Sequence, residues 1–94
     1  PRGLRSISVP TISVFYGIVI SMFFNDHDPP HIHARYAEHE ARISIATGVP
    51  LTGHLPPRAA RLVREWTTLH RVELEEDWRL AQELRPLRPI EPLL

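Results

Sequence analysis

Cysteine is absent from this chain of 94 residues, which excludes a disulfide framework and a thiolate metal site and leaves stability to packing or to a partner. That lack fits a reducing compartment. Lysine is absent too, so all eleven basic side chains are arginine, each a planar fork suited to carboxylate or phosphate. There is also no apolar run of bilayer length. The uncharged stretch Val9–Phe24 follows Arg2 and Arg5 in the manner of a signal peptide, but Pro10 and Gly17 interrupt it and no small-residue cleavage site comes after. It is too short to span a membrane. Its Ile, Val, Thr, Phe and Tyr content points to strands.

A chain of this length has room for one domain with a modest core. Its net charge is zero, yet residues 1–71 carry eight Arg against five acids, or +3, and residues 72–94 carry three Arg against six acids, or −3. That distribution favours a polyanion at one end and a basic partner at the other.

Residues 1–9 lack periodicity and are expected to form a loosely ordered N-terminal extension. A natural start read at Val9 is one expectation, checked by sequencing the N-terminus of natively expressed protein. Ile12–Tyr16 and Ile18–Asn25 read as two antiparallel strands about a Tyr16-Gly17 turn, with Ser13 and Ser21 on the wetter face. Pro29-Pro30 makes Asp26–Pro30 a stiff loop that delivers the chain into a third strand. From His31 to Tyr36, alternation sends Ile32, Ala34 and Tyr36 to one face and His31, His33 and Arg35 to the other.

The run Glu40–Ile45 alternates likewise. A tight turn at Ala37-Glu38 then pairs Ile32 with Ile43, Ala34 with Ala41, Arg35 with Glu40, His33 with Arg42 and His31 with Ser44. Val49–Leu55 is a candidate fifth, edge strand. Pro56-Pro57 opens a helix whose apolar arc holds Ala59, Leu62, Val63, Trp66, Leu69 and His70, with Arg58, Arg61, Arg64 and Arg71 opposite. Continued straight, that helix would bring Glu73 and Asp77 into the apolar arc, so a break near His70–Val72 is expected. A second helix then runs to about Leu84, carrying Leu74, Trp78, Ala81 and Leu84. The tail Arg85–Leu94 has proline at 86, 89 and 92 and is extended, with Leu87, Ile90 and Leu93 available for docking. The fold class is therefore α+β: an antiparallel meander of four to five strands over residues 10–84, ending in two helices, then a proline-rich tail.

Three of the six histidines fall between His27 and His33, beside Asp26 and Asp28, and several chemistries suit that face. In one, His27, His31 and His33 hold a metal, with Glu40 completing the set. Arg35 and Arg42 on the same face oppose a dication. In another, no cofactor is used: His31 and His33 share acid and base roles in cleaving RNA by its own 2′-hydroxyl. Arg35 and Arg42 then grip phosphate, and Tyr36 or His27 positions a base or leaving group. The third reading is a solvated strand of plain surface histidines with an exposed Arg35–Glu40 pair; as a function, the alternative to chemistry is a module that inhibits by occupying a protein or nucleic-acid surface. His39, His54 and His70 belong to turns and a helix edge, the Arg stripe is a wet face unless it adjoins the histidines, and Trp66 and Trp78 are core.

Pro-Thr-Ile-Ser-Val-Phe-Tyr-Gly-Ile-Val-Ile, Phe-Asn-Asp-His-Asp-Pro-Pro-His-Ile-His-Ala-Arg-Tyr and Leu-Pro-Pro-Arg-Ala-Ala-Arg-Leu-Val-Arg-Glu-Trp together resemble the bacterial domain-of-unknown-function family 4160. The resemblance runs from about Pro10 to Leu93. It implies a cytoplasmic toxin of a type II toxin–antitoxin pair, held inactive by a small cognate antitoxin, with no settled target. His27, Pro29, Pro30, His31, His33 and Tyr36 match the motif. Arg35 departs from it, since an acidic residue usually stands there. The Arg stripe and the proline-rich tail are candidate surfaces for the antitoxin.

Overall fold

The computed structural model describes residues 9–94; of the loose extension expected over residues 1–9, all but Val9 lies outside the described residues. Within them, one antiparallel sheet runs in chain order: β1 (Thr11–Phe15), β2 (Ile18–Ser21), β3 (His31–Tyr36), β4 (His39–Ser44) and β5 (Pro50–Gly53). Two helices follow, α1 (Pro57–Leu69) and α2 (Arg71–Gln82). This is the expected α+β meander.

The first hairpin closes at Tyr16-Gly17, where φ is 51° and 80°. Two successive left-handed residues match the right-handed twist of the strands they join. The β3–β4 pairing has the register that side-chain alternation predicts, from His31 opposite Ser44 to Arg35 opposite Glu40. Ile18, Ile20, Ile32, Ala34, Ala41 and Ile43 thereby share a face and are buried with Ala59, Val63 and Trp66 of α1 and Leu74, Trp78 and Ala81 of α2. The opposite face carries Val19, Arg35, Glu40 and Arg42, and among the described residues no helix covers it.

Several expectations are corrected. Ser13 does not mark a wet face: the pairing shifts between Thr11 and Ser13, which puts Ser13 opposite the core residue Ile20 and buries its hydroxyl without a partner. Ser21 lies opposite His33 on the expected polar face, where it lines a hollow, though little of it is exposed. β2 ends at Ser21 rather than Asn25, because Met22 turns into the core as the chain leaves the sheet. β5 is shorter than Val49–Leu55.

The helix break falls at His70, as anticipated, with its N–H closing on the Trp66 carbonyl. Leu69 at the end of α1 and Leu84 beyond α2 are both exposed, although both fell in apolar arcs, because each lies where its helix stops. Asp77 enters the packed side of α2 regardless of the break and is 1% exposed. The tail docks on its own domain: the Ile90 N–H donates to the Ile12 carbonyl at 2.8 Å, and the Trp66 indole donates to the Glu91 carbonyl at 2.8 Å. Among the described residues no helix is long and apolar enough to cross a membrane.

Candidate functional site

Residues 22–30 leave the sheet after β2 and return to it at β3, and α2 holds them in place. The Asn25 N–H donates to the Ala81 carbonyl at 3.1 Å, and Gln82 Nε2 donates to the Asp26 carbonyl at 2.9 Å. On the other side, the Ile45 N–H donates to the Pro30 carbonyl at 3.1 Å. The Asp28-Pro29 peptide is cis. So anchored, the loop brings Asp26 back over the start of β3.

The Asp26 carboxylate gathers three histidines. Its Oδ1 accepts from the His27 N–H at 2.9 Å and stands 3.0 Å from His27 Nδ1. Its Oδ2 stands 2.9 Å from His31 Nε2 and 3.4 Å from His33 Nε2. His31 is sealed, at 1% exposure, with Trp78 against its ring and its Nδ1 on the Pro29 carbonyl at 2.7 Å. His33 is partly covered by Phe23, which stacks on it with centroids 4.1 Å apart and planes 17° from parallel. His27 is 78% exposed. Two reachable imidazoles thus flank a buried one, and all three share a single carboxylate.

Burial pushes the Asp26 carboxyl up, but the His27 N–H, the hydrogen bonds from His33 and His31 and the charge of His31 outweigh it. The carboxyl is held below its ordinary value. Burial lowers His33 below the usual imidazole value; the Asp26 carboxylate opposes this, while the charges of His31 and Arg42 add to it. A depressed imidazole is neutral near physiological pH and can accept a proton or a metal.

His33 opens onto two hollows of the bare sheet face. One, of about 260 Å³, is lined by Thr11, Ser21, Phe23, His33, Arg35 and Glu40 among others. The second is lined by Phe23, His33, Glu40, Arg42 and Thr52 among others. Of the residues singled out in the sequence, His27, His31 and His33 cluster around Asp26, and Arg35, Glu40 and Arg42 border His33. Arg42 is turned to β5, where its Nε donates to Thr52 Oγ1 at 3.0 Å. Tyr36 is not part of this group. It lines a separate crevice with Ile18, Pro56 and Leu62 on the helix side of the sheet, as its place in the β3 alternation requires.

Sequence reasoning missed Asp26 as the organising residue, and Phe23 as the cover of His33. Asp26 lies outside any strand, so alternation gives it no face; only a carboxylate five residues before a buried histidine, across a Pro-Pro loop, hinted at contact. His39 and His54 stand apart, with ring centroids 5.8 Å from each other, and His70 pairs with Glu73.

A family model described as a domain of unknown function, DUF4160, matches residues 17–79. That span runs from the first hairpin turn into α2 and includes the whole Asp26 cluster. No curated protein and no solved structure matches the chain.

Proposed function

The chain belongs to the DUF4160 family, a domain of unknown function, and we propose that it is the toxin of a bacterial toxin–antitoxin pair that cleaves RNA at the Asp26 cluster. The observation that carries this reading is the single carboxylate holding two reachable imidazoles, those of His27 and His33, beside a hollow bordered by Arg35.

In the proposed reaction the RNA 2′-oxygen attacks the adjacent phosphorus and the P–O5′ bond breaks. The 2′-hydroxyl gives its proton to the His33 side of the cluster, and protonated His27 returns one to the leaving 5′-oxygen. Asp26 orients both rings and offsets the charge of whichever is protonated. In this reading Arg35 and Arg42, which border His33, hold the phosphate oxygens. His31 has no open side, so its role is to position Asp26 and His33 rather than to touch substrate. The Phe23 ring offers a stacking surface for a base next to the cleaved bond.

Sequencing of total RNA after induced expression tests the reading. Discrete new RNA ends that disappear in a folded His33→Ala variant are the expected result. Full growth inhibition by folded His33→Ala and His27→Ala variants would instead assign the inhibition to binding without chemistry. On this reading the antitoxin acts on a toxin whose tail is already packed against its own core. That leaves the exposed Arg58, Arg61 and Arg64 of α1 as the candidate contact from the sequence that remains open.

A further inference from the structure

We propose that Asp26, His31 and His33 form a binding site for one divalent transition-metal ion of the zinc class. A bound ion would occupy the His33 lone pair and so take His33 out of the proton-accepting role; the site does not depend on RNA being the substrate.

The His31 Nδ1 lies 2.7 Å from the Pro29 carbonyl oxygen, which can only accept, so Nδ1 carries a hydrogen. Nε2 in turn faces the lone pairs of Asp26 Oδ2 at 2.9 Å, so a proton or a metal ion must lie between them. His33 Nε2 approaches the same oxygen at 3.4 Å. One ligand atom from each of the three residues falls within 4.8 Å of the others. Electron-pair donors held this close need a cation among them. A proton on each Nε2 would serve the two contacts separately; one metal ion would serve all three ligand atoms at once.

The surroundings are those of a metal ligand set. A metal-binding histidine usually donates its second ring nitrogen to a carbonyl or carboxylate, which fixes tautomer and orientation, and the Pro29 carbonyl does this for His31. The other Asp26 oxygen accepts the His27 N–H, which fixes the carboxylate. The loop itself is tied to α2 through Ala81 and Gln82. Two imidazoles and one carboxylate suit zinc, cobalt, nickel or iron rather than magnesium or calcium, which prefer all-oxygen shells. Ligand distances of about 2.0–2.2 Å require only a small opening of the cluster. Three protein ligands leave at least one coordination position free, as in catalytic rather than structural sites.

The sequence suggested His27 as third ligand and Arg35 and Arg42 as obstacles. Asp26 takes the third place, and its carboxylate rather than that of Glu40 supplies the negative charge between His31 and His33. Arg42 is held on Thr52 at 3.0 Å, which ties its guanidinium toward β5, although its charge still reaches His33.

Metal-stripped full-length protein titrated with Zn²⁺ by calorimetry, and with Co²⁺ by visible absorption, tests the site. The expected result is one equivalent bound with a dissociation constant of about micromolar or tighter, and cobalt bands of a low-coordinate nitrogen–oxygen site. Asp26→Asn and His33→Gln should each weaken binding by about 100-fold, with circular dichroism confirming that both remain folded. His39→Ala serves as a surface-histidine control and should bind as the parent does. Absence of saturable one-to-one binding overturns the proposal and leaves a proton-held Asp26–His31 pair. Undiminished binding in either Asp26→Asn or His33→Gln overturns it as well. Because the readout is metal occupancy, its failure would leave the RNA-cleavage reading to its own test.

Discussion

Phe23 lies flat on His33, with ring centroids 4.1 Å apart, although Phe23 has already left β2 and His33 sits in the middle of β3. The contact makes one wall of both hollows on the bare sheet face. It shields the one imidazole of the cluster that is neither sealed nor fully open.

If that wall helps to hold a base, Phe23→Ala should reduce RNA cleavage by about tenfold or more, because one base–aromatic stack is worth about 1–3 kcal/mol. Phe23→Trp should retain most of the activity. Phe23 is 41% exposed, so the alanine variant should fold normally and circular dichroism should not change. Equal cleavage rates in all three proteins would remove Phe23 from the substrate path.

Asp77 gives a stability prediction with a definite sign. Burial raises its carboxyl; the Arg88 N–H and the charge of Arg88 oppose this, and Glu76 and Glu73 add to the rise. Its Oδ1 accepts the Arg88 N–H at 2.9 Å, while its Oδ2 is buried without a partner. A carboxyl raised in the folded state binds its proton more tightly there than when unfolded. Its contribution is therefore complete below the ordinary carboxylate value and is lost as pH climbs through the raised one. Asp77→Asn keeps an acceptor for Arg88 and removes the buried charge, so it should gain about 1 kcal/mol at neutral pH and nothing under strongly acidic conditions. Thermal unfolding of both proteins across that range checks this. A gain that does not grow with pH would contradict it.

Gly53 ends β5 with φ of 82°, and a β-carbon there would collide with the Glu40 carbonyl. The close approach accompanies the shift in β4–β5 pairing between Arg42 and Ile43. Gly53→Ala should cost about 1–3 kcal/mol. Because Glu40, Arg42 and Thr52 border the second hollow, it should also disturb that side of the site. A urea midpoint unchanged from the parent would show that the strand shifts to accommodate the methyl group.

Alternation and turn chemistry made the hairpins legible in the sequence. The pattern Ile32, Ala34 against Ala41, Ile43 allows a single facing of the two strands, and the Ala37-Glu38 turn sets their register. Helical phase likewise located the break at His70. What alternation could not reach was any residue outside a regular element. Asp26 and Phe23 are placed by a nine-residue excursion held by hydrogen bonds to the Ala81 carbonyl and the Gln82 side chain of α2, far later in the chain. Ser13 was misassigned for a related reason: an extra residue in β1 shifts the period of two on which the assignment relied. The histidines were thus visible, but the carboxylate that joins them was not.

The tail yields the remaining prediction, because its composition fits docking on the domain, docking on a partner and disorder equally well. In the fold, Ile90 is 4% exposed and donates its N–H to Ile12, while Glu91 takes the Trp66 indole proton. Trp66 is itself wholly buried against Phe15, with ring centroids 5.3 Å apart. A tail used so by the core contributes to the stability of the isolated protein. Ile90→Ala should lower that stability by about 2–4 kcal/mol, the usual range for emptying a buried aliphatic site. The change should appear as a lower urea midpoint in the protein without any partner present. A tail that docks only on a partner would leave the midpoint where it is and weaken the complex instead.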